Sequence, residues 1–187
     1  MERNMLKKVV TAALIAAASA ASANAAVVYA DSVVSAKQKG YVAPARSNTA
    51  SALGEADGKF YSLGFGGNIV LSFSTLVGGA GTVTEVTNLP RETYIESAIF
   101  SVSLDGISWT KLGEYSNQVS SLYSATPFLY LKVEDTSPVI AGHGRDGYDI
   151  DSISFEQYVA PVPLPAAGLL LIGGLAGLGI MKRRKSA

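Results

Sequence analysis

Between residues 52 and 158 no stretch of this chain keeps the rhythm of a helix. Apolar residues recur instead at every second position, in short runs cut by glycine and other turn formers. Asn68 to Ser74 places Ile69, Leu71 and Phe73 on one parity, and Gly78, Gly79 and Gly81 are expected to end that strand before a second one from Thr82 to Val86. Glu96 to Leu104 alternates with Phe100, Val102 and Leu104 on one face. It closes at Asp105-Gly106, a pair that supplies the positive φ of a tight hairpin, and Ile107 to Leu112 returns. Pro127 to Glu134 carries Leu129, Leu131 and Val133 on one face, and Tyr148 to Tyr158 is the last run, with Ile153 and Phe155 apolar. Strands this short and this frequent predict an all-β fold, a single β-sandwich of the jelly-roll kind. No period of solenoid or propeller length repeats.

The segments outside that body differ from it. Ala26 to Ser51 reads as a lead strand, opening at Asp31-Ser32-Val33-Val34, followed by a loop punctuated by Gly40, Pro44 and Asn48. Residues 1–25 have the order of a secretory signal peptide. Arg3, Lys7 and Lys8 precede an apolar run from Val9 to Ala18, and Ala23-Asn24-Ala25 offers the small-x-small site that signal peptidase cuts. The domain organisation expected is therefore a signal helix over 1–25, a lead strand and loop over 26–51, the sandwich over 52–158 and a separate tail over 159–187.

In that tail, Val162-Pro163-Leu164-Pro165-Ala166 leads into an uncharged run from Ala166 to Met181. The basic group Lys182-Arg183-Arg184-Lys185 ends it. As a helix these 16 residues span about 24 Å, short against a hydrocarbon core of ~30 Å. Five glycines weaken the helix further. The basic end agrees with cytoplasmic placement. Pro motif, short glycine-rich span and basic stop, in this order, resemble the PEP-CTERM class of bacterial sorting signals, in its VPLPA-CTERM variant. The resemblance implies a Gram-negative precursor exported across the inner membrane and held there transiently by its C-terminal transmembrane helix. An exosortase-type membrane transpeptidase would then recognise Val162 to Ala166 and release the protein to the cell surface or extracellular matrix. An ordinary anchor of an inner-membrane periplasmic protein is the other reading of the same residues.

Charge and composition remove several functions. Formal net charge is zero over the whole chain, yet residues 26–181 hold 8 basic and 14 acidic residues, a net of −6. A body so acidic lacks the basic face that nucleic acid requires. With no cysteine there is no disulfide framework, thiol chemistry or cysteine-held zinc. His143, the only histidine, sits in Gly142-His143-Gly144 and reads as an exposed loop residue, with no glycine elbow around a serine to make a triad of it. A glycosidase-type carboxylate pair stays open among 14 acids, though no motif singles one out. Trp109, just after the hairpin, reads as a core residue first and a glycan platform second. Asp57, Asp146, Asp149 and Asp151 stand near glycines. Such acids supply the oxygens calcium needs, and they are equally turn formers and solvated strand ends.

A second resemblance concerns the body. Ala52 to Phe60 with Ser62-Leu63-Gly64, then Ser103-Leu104-Asp105-Gly106-Ile107-Ser108-Trp109, Phe128 to Val133, and Gly147 to Ile153 occur in the order found in galactose-binding-like (discoidin-type) domains. That resemblance implies an eight-stranded, non-catalytic sandwich that meets glycans or other surface ligands through loops at one end. It also implies a structural calcium joining the opening loop to the terminal strand, which by position puts Asp57 with Asp149 or Asp151. The function expected is an exported surface or matrix protein, structural or binding extracellular polysaccharide. A secreted polysaccharide hydrolase is the alternative.

Overall fold

The computed structural model of this 187-residue chain describes residues 25–86, 94–139 and 146–160, with Gly174 beyond them. The sorting residues Val162 to Ala166 and Lys182 to Lys185, the signal residue Ala23 and the loop residue His143 lie outside the described residues; Ala25 lies just before the first strand. Among the described residues no helix is long and apolar enough to cross a membrane.

Among the described residues eight strands form the body: β1 Val27–Tyr29, β2 Ser32–Lys37, β3 Tyr61–Ser62, β4 Asn68–Glu85, β5 Ala98–Ser103, β6 Thr110–Tyr115, β7 Val119–Asp135 and β8 Asp149–Gln157. Their ladders are antiparallel, in the order β1-β8-β4-β7-β5-β6, with β2 added to β4 and β3 to β8. The fold is all-β.

The architecture turns on two long strands. Residues 68–72 of β4 pair with β2 on one side and with residues 130–134 of β7 on the other, and β5 and β6 continue that layer. Beyond Val77 the same strand pairs with β8 and with residues 119–124 of β7, and β1 and β3 complete the second layer. Register shifts between Ser72 and Gly79 mark the corner where β4 leaves one layer for the other. β7 turns the same corner around Pro127, whose missing N–H suits an irregular position in a ladder. The layers close on one core. Val83, Leu122, Ile153 and Phe155 of the second layer lie in the same buried cluster as Ile69, Leu71, Phe100, Leu131 and Val133 of the first. Phe73, Phe128 and Phe155 meet edge to face, with centroids 4.8–6.2 Å apart, and Phe100 meets Tyr148 the same way at 5.9 Å. Such pairs add about 0.5–1.5 kcal/mol each to the burial itself.

The glycines at 78, 79 and 81 thus bend one strand of 18 residues where two short strands were expected. A Cβ on Gly81 would lie 2.5 Å from the Phe155 ring and 2.6 Å from the Ser154 carbonyl oxygen. Glycine here lets β8 pass close, which is how a strand interrupted in composition continues in hydrogen bonding. β7 likewise starts eight residues before Pro127, because Ser120, Leu122 and Ser124 face inward on the far side of the corner. A further register shift between Thr84 and Glu85 lets both Ile150 and Ile153 of β8 reach the core.

Trp109 corrects the expectation of a core residue. It is half-buried outside the sandwich, with the Lys132 ammonium 5.3 Å from its ring centroid. The turn before it is longer than the two residues expected. Asp105 accepts hydrogen bonds from the Ser103 hydroxyl and from the N–H groups of Ile107 and Ser108, and those N–H bonds hold its carboxyl down at about 2. The turn leaves Leu104 exposed, off the apolar face of Phe100 and Val102.

Candidate functional site

The aspartates at 57, 149 and 151 come from two segments, the loop before β3 and the start of β8. Each is engaged by a different protein group. The Asp151 carboxylate, 3% exposed, accepts from the backbone N–H groups of Asp57 and Gly58 at 3.1 and 3.0 Å. Asp57 turns its own carboxylate to Lys59, at 2.7 Å from the ammonium and 2.9 Å from the backbone N–H, and the Lys59 contact holds its pKa down. Asp149 accepts from the Ser62 hydroxyl and lies 3.9 Å from the Arg46 guanidinium, which pairs with Asp146 and sits 5.1 Å over the Phe60 ring. Asp57 and Asp151 meet, but through backbone donors rather than through converging oxygens. Among the described residues no group of three His, Cys, Asp or Glu could hold a metal ion. In this arrangement the Asp57 and Asp151 carboxylates are both engaged by protein N–H and ammonium donors. Millimolar calcium is therefore expected to leave the thermal midpoint unchanged. A rise of several degrees that a chelator reverses would contradict this.

What Asp151 does instead is clamp the loop. Removing a buried acceptor of two N–H bonds leaves both donors unsatisfied, so Asp151→Ala is expected to cost about 1–3 kcal/mol. A urea titration should show a lower midpoint at unchanged slope.

The other acids that burial brings together were not foreseen as a group. Glu85 at the end of β4, Glu96 before β5, Asp135 at the end of β7 and Asp149 at the start of β8 are all buried at one end of the sandwich. Asp135 is well satisfied: one oxygen accepts from the Tyr148 N–H and the Ser137 hydroxyl, the other from the Gly66 N–H. Glu96 shares a hydrogen bond with Glu85, and its Oε2 has no partner. Burial first, then the charges of Asp149 and Glu85, push Glu96 up to about 9. Burial pushes Asp149 up to about 7 against the opposing Ser62 hydroxyl and Arg46. Two carboxyls in direct contact inside a core leave no room for a sugar ring and a water. Inverting and retaining glycosidases separate theirs by about 5–9.5 Å around the substrate. The cluster is structural in character, and sequence spacing could not reveal it because its members are up to 64 residues apart.

A recess open to solvent lies elsewhere, on the outer face of the second layer. It has a volume of about 310 Å³. Thr82 and Thr84 of β4 and Ser152 and Ser154 of β8 supply hydroxyls, Tyr29 and Val27 of β1 form one wall, and Ala56 the rim. The register explains the grouping. Tyr29 pairs with Ser154, Ser154 with Thr82, and Ser152 with Thr84, so alternate residues of three adjacent strands point out in two rows. Ala56 belongs to the loop that Asp151 clamps, and Ser152 donates to the Gly54 carbonyl at 2.9 Å, so that loop is tied to the recess at two points. Among the described residues no charged side chain lines it. The alternation of Ser and Thr along β4 and β8 was readable, but nothing in the sequence set β1 beside them.

No protein-family model matches the chain, and no curated protein sequence does. Solved structures of similar shape include the C-terminal domain of a chitobiase from Bacteroides fragilis (16% identity, TM-score 0.49, 70% of this chain and 95% of that one). A pectin-binding carbohydrate-binding module gives 15% identity and a TM-score of 0.47 over 71% and 96% of the two chains. A carbohydrate-binding module (CBM32-3) from a family 31 glycoside hydrolase of Clostridium perfringens gives 12% and 0.46 over 70% and 91%. Likenesses this distant leave the function to be argued from this chain's own residues.

Proposed function

We propose that this chain is an exported, non-catalytic carbohydrate-binding module. The observation that carries the reading is the recess of Tyr29, Thr82, Thr84, Ser152 and Ser154. A sugar ring offers apolar C–H faces and a rim of hydroxyls. A tyrosine ring covers the first, and serine and threonine hydroxyls, which both donate and accept, match the second. A concave site with a few placed polar groups on a rigid sheet is the ordinary form of a small-ligand site. Among the described residues neither a nucleophile with a base nor a spaced acid pair lines the recess, so binding without chemistry is what its residues support.

Export is supported by the order of charge, apolar run and small residues in 1–25, and surface or matrix placement by the Pro motif, span and basic stop of 162–185. Signal peptidase and an exosortase-type transpeptidase are the processing partners this reading requires. Intact mass of the protein from its native host tests it. A C-terminus near Pro165 outside the inner membrane supports release, and an intact Ala187 in the inner membrane makes the tail an anchor.

Binding is tested with the full chain on an array of purified polysaccharides. Tyr29→Ala is expected to weaken capture about tenfold, since it removes the stacking surface and leaves the hydroxyls. Equal capture by wild type and variant, or no capture of any polysaccharide, would reject the site.

A further inference from the structure

We infer that the recess is one end of a longer track for a neutral, extended polysaccharide chain, laid across the strands of the outer face from β1 to β7. The inference rests on the carbohydrate-binding reading and adds the ligand's charge and length. Three observations carry it.

The first is the row of polar side chains that continues past the recess. Tyr29 pairs with Ser154, Ser154 with Thr82, and Thr82 with Ser121 of β7. Three inter-strand steps give a row about 14 Å long, too long for one ring and suited to a short oligosaccharide. The second is an aromatic at the far end. Tyr123, two residues along β7 from Ser121 and therefore on the same face, is 67% exposed. It has no place in the core, and as an amphipathic ring on a hydroxyl-rich surface it makes a second stacking platform. The third is charge. Among the described residues the outward positions of β1, β8, β4 and residues 119–125 of β7 hold no cation, and Glu156 is the one exposed charged side chain of these strands. Lys59 in the adjoining loop is already paired with Asp57. A uronate or sulfated chain would meet one carboxylate and no counter-charge there, whereas an uncharged chain needs none.

The test is calorimetric titration of the full chain and of Tyr29→Ala and Tyr123→Ala. The probes are cello- and manno-oligosaccharides of one to six rings and oligogalacturonates of matching length. Affinity for neutral oligomers is expected to rise from one ring to about four and then level. Tyr123→Ala should weaken hexamers about tenfold and leave one- and two-ring sugars unchanged. Oligogalacturonates should bind at least tenfold more weakly than neutral hexamers. Three results would each overturn the track: affinity independent of length, hexamer binding untouched by Tyr123→Ala, or tighter binding of the uronates. In those cases loss of binding in Tyr29→Ala would still uphold the recess. If no saccharide binds, or Tyr29→Ala binds as wild type does, the carbohydrate-binding reading fails with it. Tyr123 is exposed, so its truncation leaves folding intact, which a matching thermal midpoint verifies.

Discussion

Glu96→Gln is expected to raise the thermal midpoint at pH 9 by several degrees and to change it little at pH 4. Glu96 is 6% exposed, hydrogen-bonded to Glu85, and faces Asp149, Asp135 and the Tyr94 ring system, while the Arg46 guanidinium stands by Asp146 and Asp149. Tyr94 donates its hydroxyl to the Pro138 carbonyl, so it offers Glu96 no proton. A carboxyl in this setting holds its proton, and its pKa stands at about 9 against 4.5 for the ordinary group. The folded protein therefore binds more protons than the unfolded one across that interval, and stability falls as pH rises through it. Below about pH 4.5 the contribution is whole; above about pH 9 it is gone. Asp149 acts in the same direction over a lower window, from 3.8 to about 7. Glutamine is neutral at every pH and keeps a donor for Glu85. It removes a penalty on the order of a few kcal/mol at pH 9, and for a body of this size each kcal/mol is worth about 4 °C. Thermal melts of both proteins from pH 4 to 9.5 measure the effect. Parallel curves over the whole range would show that Glu96 is not the group that titrates.

Gly67→Ala is expected to prevent folding or to destabilise the chain by more than about 4 kcal/mol, among the largest single-residue effects. Gly67 closes the turn that feeds β4: its N–H donates to the Gly64 carbonyl at 2.9 Å, and its carbonyl accepts from the Asp135 N–H at 3.0 Å. A Cβ there would fall inside the Leu63 carbonyl oxygen and 2.8 Å from that of Lys37. Both atoms are backbone, held by the Lys39–Leu63 bond and by the β2–β4 ladder, so neither can retreat as a side-chain tip could. The displaced strand is the one that pairs with β2, β7 and β8, which spreads the damage to both layers. Gly78→Ala is the control. Its Cβ would meet atoms at 3.5–3.8 Å, ordinary contact, and it should fold with a midpoint near that of wild type. If Gly67→Ala melts like Gly78→Ala, the turn is not the tight passage described.

Alternation along each strand settled the all-β class and most of the inward faces, because a pleated backbone has only two sides and the core takes the apolar one. Ile69, Leu71, Phe73, Phe100, Val102, Leu131, Val133 and Phe155 are buried as their parity requires. The reading of the two ends as addresses rests on linear order alone, and those residues, Ala25 and Gly174 apart, lie outside the described ones. The rest required the third dimension. Periodicity says which side a residue takes but not which strand lies beside it. The corner in β4 therefore looked like a break, and Trp109, one residue before β6, landed outside the sandwich rather than within it. The buried acids and the hydroxyl track have the same cause. Glu85, Glu96, Asp135 and Asp149 share a space only because four strand ends converge there. Tyr29, Ser154, Thr82 and Ser121 form a row only because β1, β8, β4 and β7 are adjacent in a pairing order unrelated to their order along the chain.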